Sequence, residues 1–286
     1  MNILQDNILG SEIVETVAKR QYHIALEPGE VAERILLVGD PERVEKFRKI
    51  LDPGILKVER ANREFKTITG TFKAIPVTVM STGIGPSNIE IAMIELSRIV
   101  SPKVVLRVGS CGGLQKDTNL GDLVISTGAV RLEDTSLRFV DQSYPSVAHY
   151  EVILALVEAA NKLRERYHVG LTASASGFYG AQGREVPLFP IVDAQLPDNL
   201  AKRNVLNFEM ESSTLFTLGE VAGWRTGTIC AVFANRPRKE FIPASEKSLA
   251  EERAIRVALE ACVVLEKMDS KKSSVQSSHY YPSLGL

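Results

Sequence analysis

Ile75-Pro76-Val77-Thr78-Val79-Met80 runs into Ser81-Thr82-Gly83-Ile84-Gly85-Pro86, residues 88–100 alternate like a helix, and Val104-Val105-Leu106-Arg107-Val108 follows. Apolar β-rich run, glycine-bearing turn, helix and second apolar run read together as one strand–helix–strand unit. The pattern continues outward in both directions. Upstream, Ile35-Leu36-Leu37-Val38 ends at Gly39-Asp40-Pro41, with a helix from Glu42 to about Ile50. Downstream lie apolar runs at 123–126 and 169–174, the second after a long helix at about 147–166, then 226–233 and a closing helix near 248–268. Continuous apolar strands alternating with helices predict an α/β chain whose sheet is covered on both faces. The expected fold is a single-domain three-layer α/β/α arrangement with a mixed, largely parallel central sheet.

No internal repeat or splitting linker is visible. One domain is expected over residues 21–268, after an N-terminal extension at 1–20 in which Ser11, Ile13, Val14 and Val17 suit a short helix. The polar, serine-rich segment at 269–286 reads as a flexible C-terminal tail. The 286 residues are 44% hydrophobic and 24% charged, an ordinary globular balance, and the net charge of −1 gives no basic face for nucleic acid or membrane. An anionic ligand must therefore be caught by a local cluster of arginines. Three cysteines, Cys111, Cys230 and Cys262, sit in apolar or glycine-rich surroundings, which suits a reducing compartment better than a disulfide framework. Asp6, Glu12 and Glu15 interrupt the N-terminal apolar residues, so no signal peptide is expected. No apolar stretch approaches the roughly 20 residues that span a bilayer. These features point to a cytoplasmic protein.

Three constellations carry chemistry. The first is Asn207-Phe208-Glu209-Met210-Glu211-Ser212, between the end of a strand and a buried helix closed by Gly223. Carboxylates there can accept hydrogen bonds from a pair of sugar hydroxyls, and a Met can wall an apolar sugar face; the same residues also suit plain helix N-terminal decoration. The second is a pair of arginines. Arg43 stands in the first turn of a helix after Gly39-Asp40-Pro41, among amides that suit phosphate. Arg107 lies inside an apolar strand before Gly109-Ser110-Cys111-Gly112-Gly113, where it needs either a bound anion or a buried Glu partner. The glycine loops themselves match no Walker or dinucleotide fingerprint. The third is Phe178-Tyr179-Gly180-Ala181-Gln182-Gly183-Arg184. Gln182 donates and accepts, Arg184 only donates, and together they can read the amide edge of a pyrimidine with Phe178 against the ring. An ordinary polar loop with one aromatic anchor is the alternative.

From about Tyr22 to Leu265 the chain resembles the nucleoside phosphorylase family, and within it the enzymes that split uridine with inorganic phosphate. The resemblance is carried by Gly39-Asp40-Pro41-x-Arg43, Asn62-Arg63-Glu64-Phe65, Ser81-Thr82-Gly83-Ile84-Gly85, Arg107-x-Gly109-Ser110, Phe178-Tyr179-x-x-Gln182-x-Arg184, Asn207-x-Glu209-Met210-Glu211-Ser212 and Asn235-Arg236. It implies a phosphate pocket of Gly39, Arg43, Arg107 and Ser110, with Arg63 reaching in from a neighbouring subunit. Met210 and Glu211 would hold the ribose, with Glu209 beside them and His23 contacting the 5′ hydroxyl across the subunit interface. Gln182 and Arg184 would bind uracil, Gly112, Phe178 and Phe233 would wall it, and Arg236 and Glu240 would belong to a flap. Arg43, Arg107, Gln182, Arg184 and Glu211 are thus the implied catalytic set. No cofactor is implied, and phosphate is the co-substrate. In some relatives a monovalent cation lies between subunits, and Glu64, Ile84 and Ser87 match that position loosely. A shared site requires at least a homodimer and allows a hexamer of three dimers.

The chain departs from the pattern at Ser110-Cys111-Gly112, where many uridine-specific relatives have threonines, and at Gly85-Pro86, one glycine short of the commonest form. A purine nucleoside phosphorylase would want an acid near Ala234-Asn235-Arg236, which Asn235 does not supply. A hydrolase of the same fold would not need the arginines, and a non-catalytic nucleoside-binding relative is the remaining rival.

Overall fold

The computed structural model describes residues 8–54 and 56–286. Strand β1 (Arg34–Val38) is followed by α1 (Pro41–Arg48), a meander of β2 (Val58–Asn62), β3 (Phe65–Phe72) and β4 (Ile75–Ser81), then α2 (Pro86–Ser97) and β5 (Val104–Gly113). Next come β6 (Leu123–Leu132), α3 (Tyr150–Leu163), β7 (Tyr167–Ala175), the short α4 (Leu196–Ala201), β8 (Val205–Glu209), α5 (Ser212–Ala222) and β9 (Arg225–Asn235). A two-residue β10 (Glu240–Phe241) and the long α6 (Ala244–Ser274) close the chain. No helix among the described residues is long and apolar enough to cross a membrane.

The strands form one mixed sheet in the order β10-β9-β6-β7-β8-β5-β1-β4-β3-β2, and β9 also pairs with β5, so five strands close into a ring. Pairing is parallel for β1 with β4 and β5, β5 with β9, and β7 with β6 and β8. It is antiparallel along the β2–β3–β4 meander and where β8 meets β5, β6 meets β9 and β10 meets β9. The sheet is therefore mixed, with more antiparallel pairing than the strand–helix alternation predicts.

Period-2 alternation sorts the strand side chains between two cores. Leu36 and Val38 of β1, with Val104, Leu106 and Val108 of β5, join α1, α3 and α6 on one face. Ile35 and Leu37, with Val105, join α2 and α5 on the other. Arg107 shares the face of Val105, which points it towards the start of α5. Gly109–Gly113 continues β5 where the sequence reads as a turn: its residues pair with Cys230–Asn235 on one side, and Gly112 and Gly113 with Phe208 and Asn207 on the other.

Both chain ends depart from expectation. Residues 1–7 lie outside the described residues; the rest of the N-terminal extension forms isolated bridges instead of a helix. Buried Glu15 anchors it, accepting from Arg98 Nε and Gln21 Nε2, each at 2.8 Å. At the other end α6 runs on to Ser274, and Tyr280 is buried, its backbone N–H donating to Glu151 at 2.9 Å. Glu151 also pairs with Lys272 (2.8 Å) and Arg225 (2.7 Å), so the serine-rich segment is clamped by a buried carboxylate.

Candidate active site

A cleft of about 720 Å³ opens where β1, β4, β5, β8 and β9 end. Asp40 caps α1 by accepting from the Glu42 N–H at 2.9 Å, Pro41 starts the helix, and the turn delivers Arg43 to the cleft wall. Arg43 is buried; it donates to Val108 O at 3.0 Å and to Glu251 Oε1 at 2.9 Å, while its Nε has no partner among the described residues. Lys46 shares Glu251 from the next turn. Burial pushes the Glu251 carboxyl up, but Arg43 and Lys46 together hold it below its ordinary range.

The second arginine is held by two carboxylates. Arg107 Nε donates to Glu209 Oε2 at 2.8 Å and its Nη2 lies 2.5 Å from Glu211 Oε2, all three side chains being buried. Burial disfavours the guanidinium charge, yet Glu211 and Glu209 raise its pKa above even the ordinary arginine value. Its resting place explains Gly109, since a Cβ there would stand 2.7 Å from Arg107 Nη2 and 2.9 Å from Cys230 Sγ. Arg107 thus has the buried glutamate partners that the sequence offered as one reading, and it also lines the cleft beside Ser110.

The two carboxylates separate in role. Glu209 accepts from Ser174 Oγ, from Arg107 and from the backbone N–H groups of Glu211 (2.9 Å) and Ser212 (3.0 Å), which makes it the cap of α5. Glu211 makes no cap; one oxygen accepts from Gly85 N–H at 2.7 Å and the other faces Arg107. Burial raises the Glu211 pKa, against the pull of Arg107. Glu211 therefore retains spare acceptor capacity beside Met210, which lines the cleft next to it.

At the far end Arg184 donates to Gln182 Oε1 at 2.6 Å and to Phe178 O, and its guanidinium lies 4.0 Å from the Phe178 ring centroid. Burial and nearby Arg236 lower the Arg184 pKa to about 10, which leaves it charged at neutral pH. Phe233 and Gly112 complete this end; a Cβ on Gly112 would lie 3.9 Å from both Arg184 and Arg236. Arg236 stands behind the lining, donating to Gln182 O at 2.9 Å and so bracing the loop.

The cleft thus gathers Gly39, Arg43, Arg107, Ser110, Gly112, Phe178, Gln182, Arg184, Glu209, Met210, Glu211 and Phe233. His23 and Arg63 stand outside it. His23 Nδ1 lies 2.5 Å from buried Glu95, and exposed Arg63, at φ 53°, donates to Tyr22 Oη at 3.1 Å. Asn62 joins them by donating to the carbonyls of Tyr22 and His23. Glu240 pairs with Arg238 on the surface, and Glu64 and Ile84 line the cleft whereas Ser87 does not. Asn235 corrects an argument made from sequence. It is wholly buried, donates to Gln115 O and Thr118 O and accepts from Arg238 N–H, so its lack of an acidic proton says nothing about the base. The cleft-lining residue of that segment is Ala234, which carries no acid either. Sequence reasoning missed Asp40 as a cap, Asn88 and Phe241 as walls, Glu251 as the partner of Arg43, and exposed Lys247 in the lining.

Residues 33–265 match the model of the phosphorylase superfamily. The chain belongs to the phosphorylase superfamily. Within that family it is 43% identical over 281 residues to a uridine phosphorylase of Thermococcus kodakarensis, covering 98% of this chain and 99% of the relative. It is 35% identical to a guanosine phosphorylase of Halorubrum lacusprofundi, covering 86% and 99%. A Trypanosoma brucei nucleoside phosphorylase, whose crystal structure is described as showing uridine phosphorylase activity, superposes with a TM-score of 0.83 at 26% identity, over 88% of this chain and 99% of that one. The superfamily's mixed α/β domain is the fold described above.

Proposed function

We propose that this superfamily member is a uridine phosphorylase, a pentosyltransferase that reversibly converts uridine and phosphate to uracil and ribose 1-phosphate. The observation that carries this reading is the convergence of three sets of groups on one cleft. Arg43, Arg107 and Ser110, then Met210 and Glu211, then Gln182 with Arg184 all line it, Glu211 against Arg107 and Arg184 beside Gly112 further along β5. Phosphate, ribose and a pyrimidine edge call for those three sets. The 43% identity to a uridine phosphorylase over nearly the whole chain supports it independently.

Cleavage of the glycosidic bond builds positive charge on the ribose and negative charge on the base. Phosphate below the sugar stabilises the first and attacks the anomeric carbon. Gln182 and Arg184 donate to the carbonyl oxygens that take up the second, and Glu211 fixes the sugar hydroxyls so that attack is in line. Positioning and electrostatics supply the acceleration, without a covalent enzyme intermediate. The outward-facing cluster of His23, Tyr22 and Arg63 suits donation to a neighbouring copy, where Arg63 would add a phosphate ligand and His23 a contact to the 5′ hydroxyl. We therefore infer a homodimer at least. Three free, buried cysteines fit a reducing compartment, and we assign the enzyme to the cytoplasm.

Initial rates with uridine, thymidine, inosine and guanosine, followed by the ultraviolet change on base release, test the base assignment. Uridine is expected to be the best ribonucleoside; a preference for guanosine or inosine would move the enzyme to the purine branch.

A further inference from the structure

The arginines at the phosphate end are already neutralised within the chain. Arg43 and Lys46 share Glu251, and Arg107 is bracketed by Glu209 and Glu211. Three cations thus face three carboxylates, and this set offers no net positive charge to a phosphate dianion. Two cations lining the cleft have no ion pair among the described residues: Arg184, which belongs to the base end, and Lys247.

Lys247 lies in the first turn of α6, four residues before Glu251, so the two share one helix face. Glu251 holds Arg43 at 2.9 Å, and Ser248 accepts from Lys46 at 3.2 Å, which locks this face of α6 against the first turns of α1. Lys247 therefore lines the cleft one turn before the Arg43–Glu251 pair, exposed where that pair is buried. Its Nζ lies 5.5 Å from the centroid of Phe233, the ring that also walls the base end, so the ammonium is held without being neutralised and faces that wall as well as the Arg43 side. The N-terminal amides of the 31-residue α6 add a field of the same sign.

We propose that Lys247 is the uncompensated cation that draws inorganic phosphate into the cleft and completes its charge balance. This rests on the phosphorolytic reading above. The ammonium meets the dianion as it enters, and the same contact serves ribose 1-phosphate in the reverse direction. A lysine suits the role because its flexible stem can follow the anion from mouth to floor.

The test is steady-state kinetics of Lys247→Gln and Lys247→Arg with phosphate varied at saturating uridine, then uridine varied at saturating phosphate, each at low and high potassium chloride. An exposed charge near a dianion supports a rise of about three- to fivefold in the phosphate KM of K247Q. Its uridine KM should move less than about twofold, the phosphate KM of K247R should stay close to wild type, and the gap between K247Q and wild type should narrow as salt screens it. Unchanged phosphate KM in K247Q, with phosphate dependence intact, overturns the role of Lys247 alone. Equal changes in both KM values would make it a general cleft residue and overturn it too. A wild-type enzyme indifferent to phosphate would overturn the phosphorolytic reading itself, and this assignment with it.

Discussion

Arg107 Nη2 and Glu211 Oε2 meet at 2.5 Å under the cleft, both side chains buried. The proposed phosphate ligand and the proposed ribose ligand are thus one electrostatic unit, with Glu209 as its third member. Removing Arg107 leaves two buried carboxylates without their cation. Arg107→Ala is expected to lose about 3–5 kcal/mol of stability, read from the urea midpoint, as well as activity. Ser110→Ala is the cleaner probe of phosphate binding, because Ser110 carries none of that charge.

Gly109 is required by the arginine above it. A methyl there would stand 2.7 Å from a guanidinium that two carboxylates hold in place, and it cannot be absorbed by swinging the side chain away. Gly109→Ala should cost about 1–3 kcal/mol of stability. Its kcat/KM for phosphate should fall more steeply than its thermal midpoint suggests, because Arg107 is displaced.

Arg184 has no carboxylate partner among the described residues and sits on an exposed aromatic, so it contributes little to folding. Arg184→Ala is expected to leave the urea midpoint within about 1 kcal/mol of wild type. Its kcat for uridine should drop about 10²–10³-fold through loss of a donor to the departing base. A drop confined to KM would mean that Arg184 binds ground and transition states alike.

Glu151 ties α3 to α6 and to Tyr280. Burial alone would raise its pKa, but the hydrogen bonds from Lys272, Tyr280 N–H and Arg225 lower it from 4.5 to about 2. A depressed folded-state pKa stabilises the fold fully above the unfolded value, and that contribution is lost as pH falls from about 4.5 towards 2. Glu151→Gln should therefore be less stable than wild type by about 2–3 kcal/mol at pH 7, the two converging near pH 2, in urea titrations across that range. A truncation after Val275 removes one of the donors and should lower the thermal midpoint at pH 7.

The central strands were legible because burial on both faces writes them as continuous apolar runs, as in β1 and the first half of β5. The first two strands of the meander were not. Its edge strand β2 is Val-Glu-Arg-Ala-Asn and mostly exposed, and β3 buries polar threonines in place of an apolar run, of which Thr69 bonds to Thr78 at 2.8 Å. Gly109–Gly113 looked like a turn because glycine is the usual turn residue, whereas here Gly109 makes room for Arg107 and the run stays paired. Arg43, Arg107, Gln182, Arg184 and Glu211 could be read from chemistry and spacing. Their supports could not: Glu251 lies 208 residues from Arg43, and nothing local marks it as a partner. Lys247 left no signal, since a lysine near a helix start ordinarily faces solvent.

The central claim is phosphorolysis of uridine, and the most direct measurement is product analysis by ³¹P and ¹H NMR with phosphate present and absent. The account predicts uracil and ribose 1-phosphate in equal amounts with phosphate, and no cleavage without it. Free ribose formed at the same rate in phosphate-free buffer would contradict it.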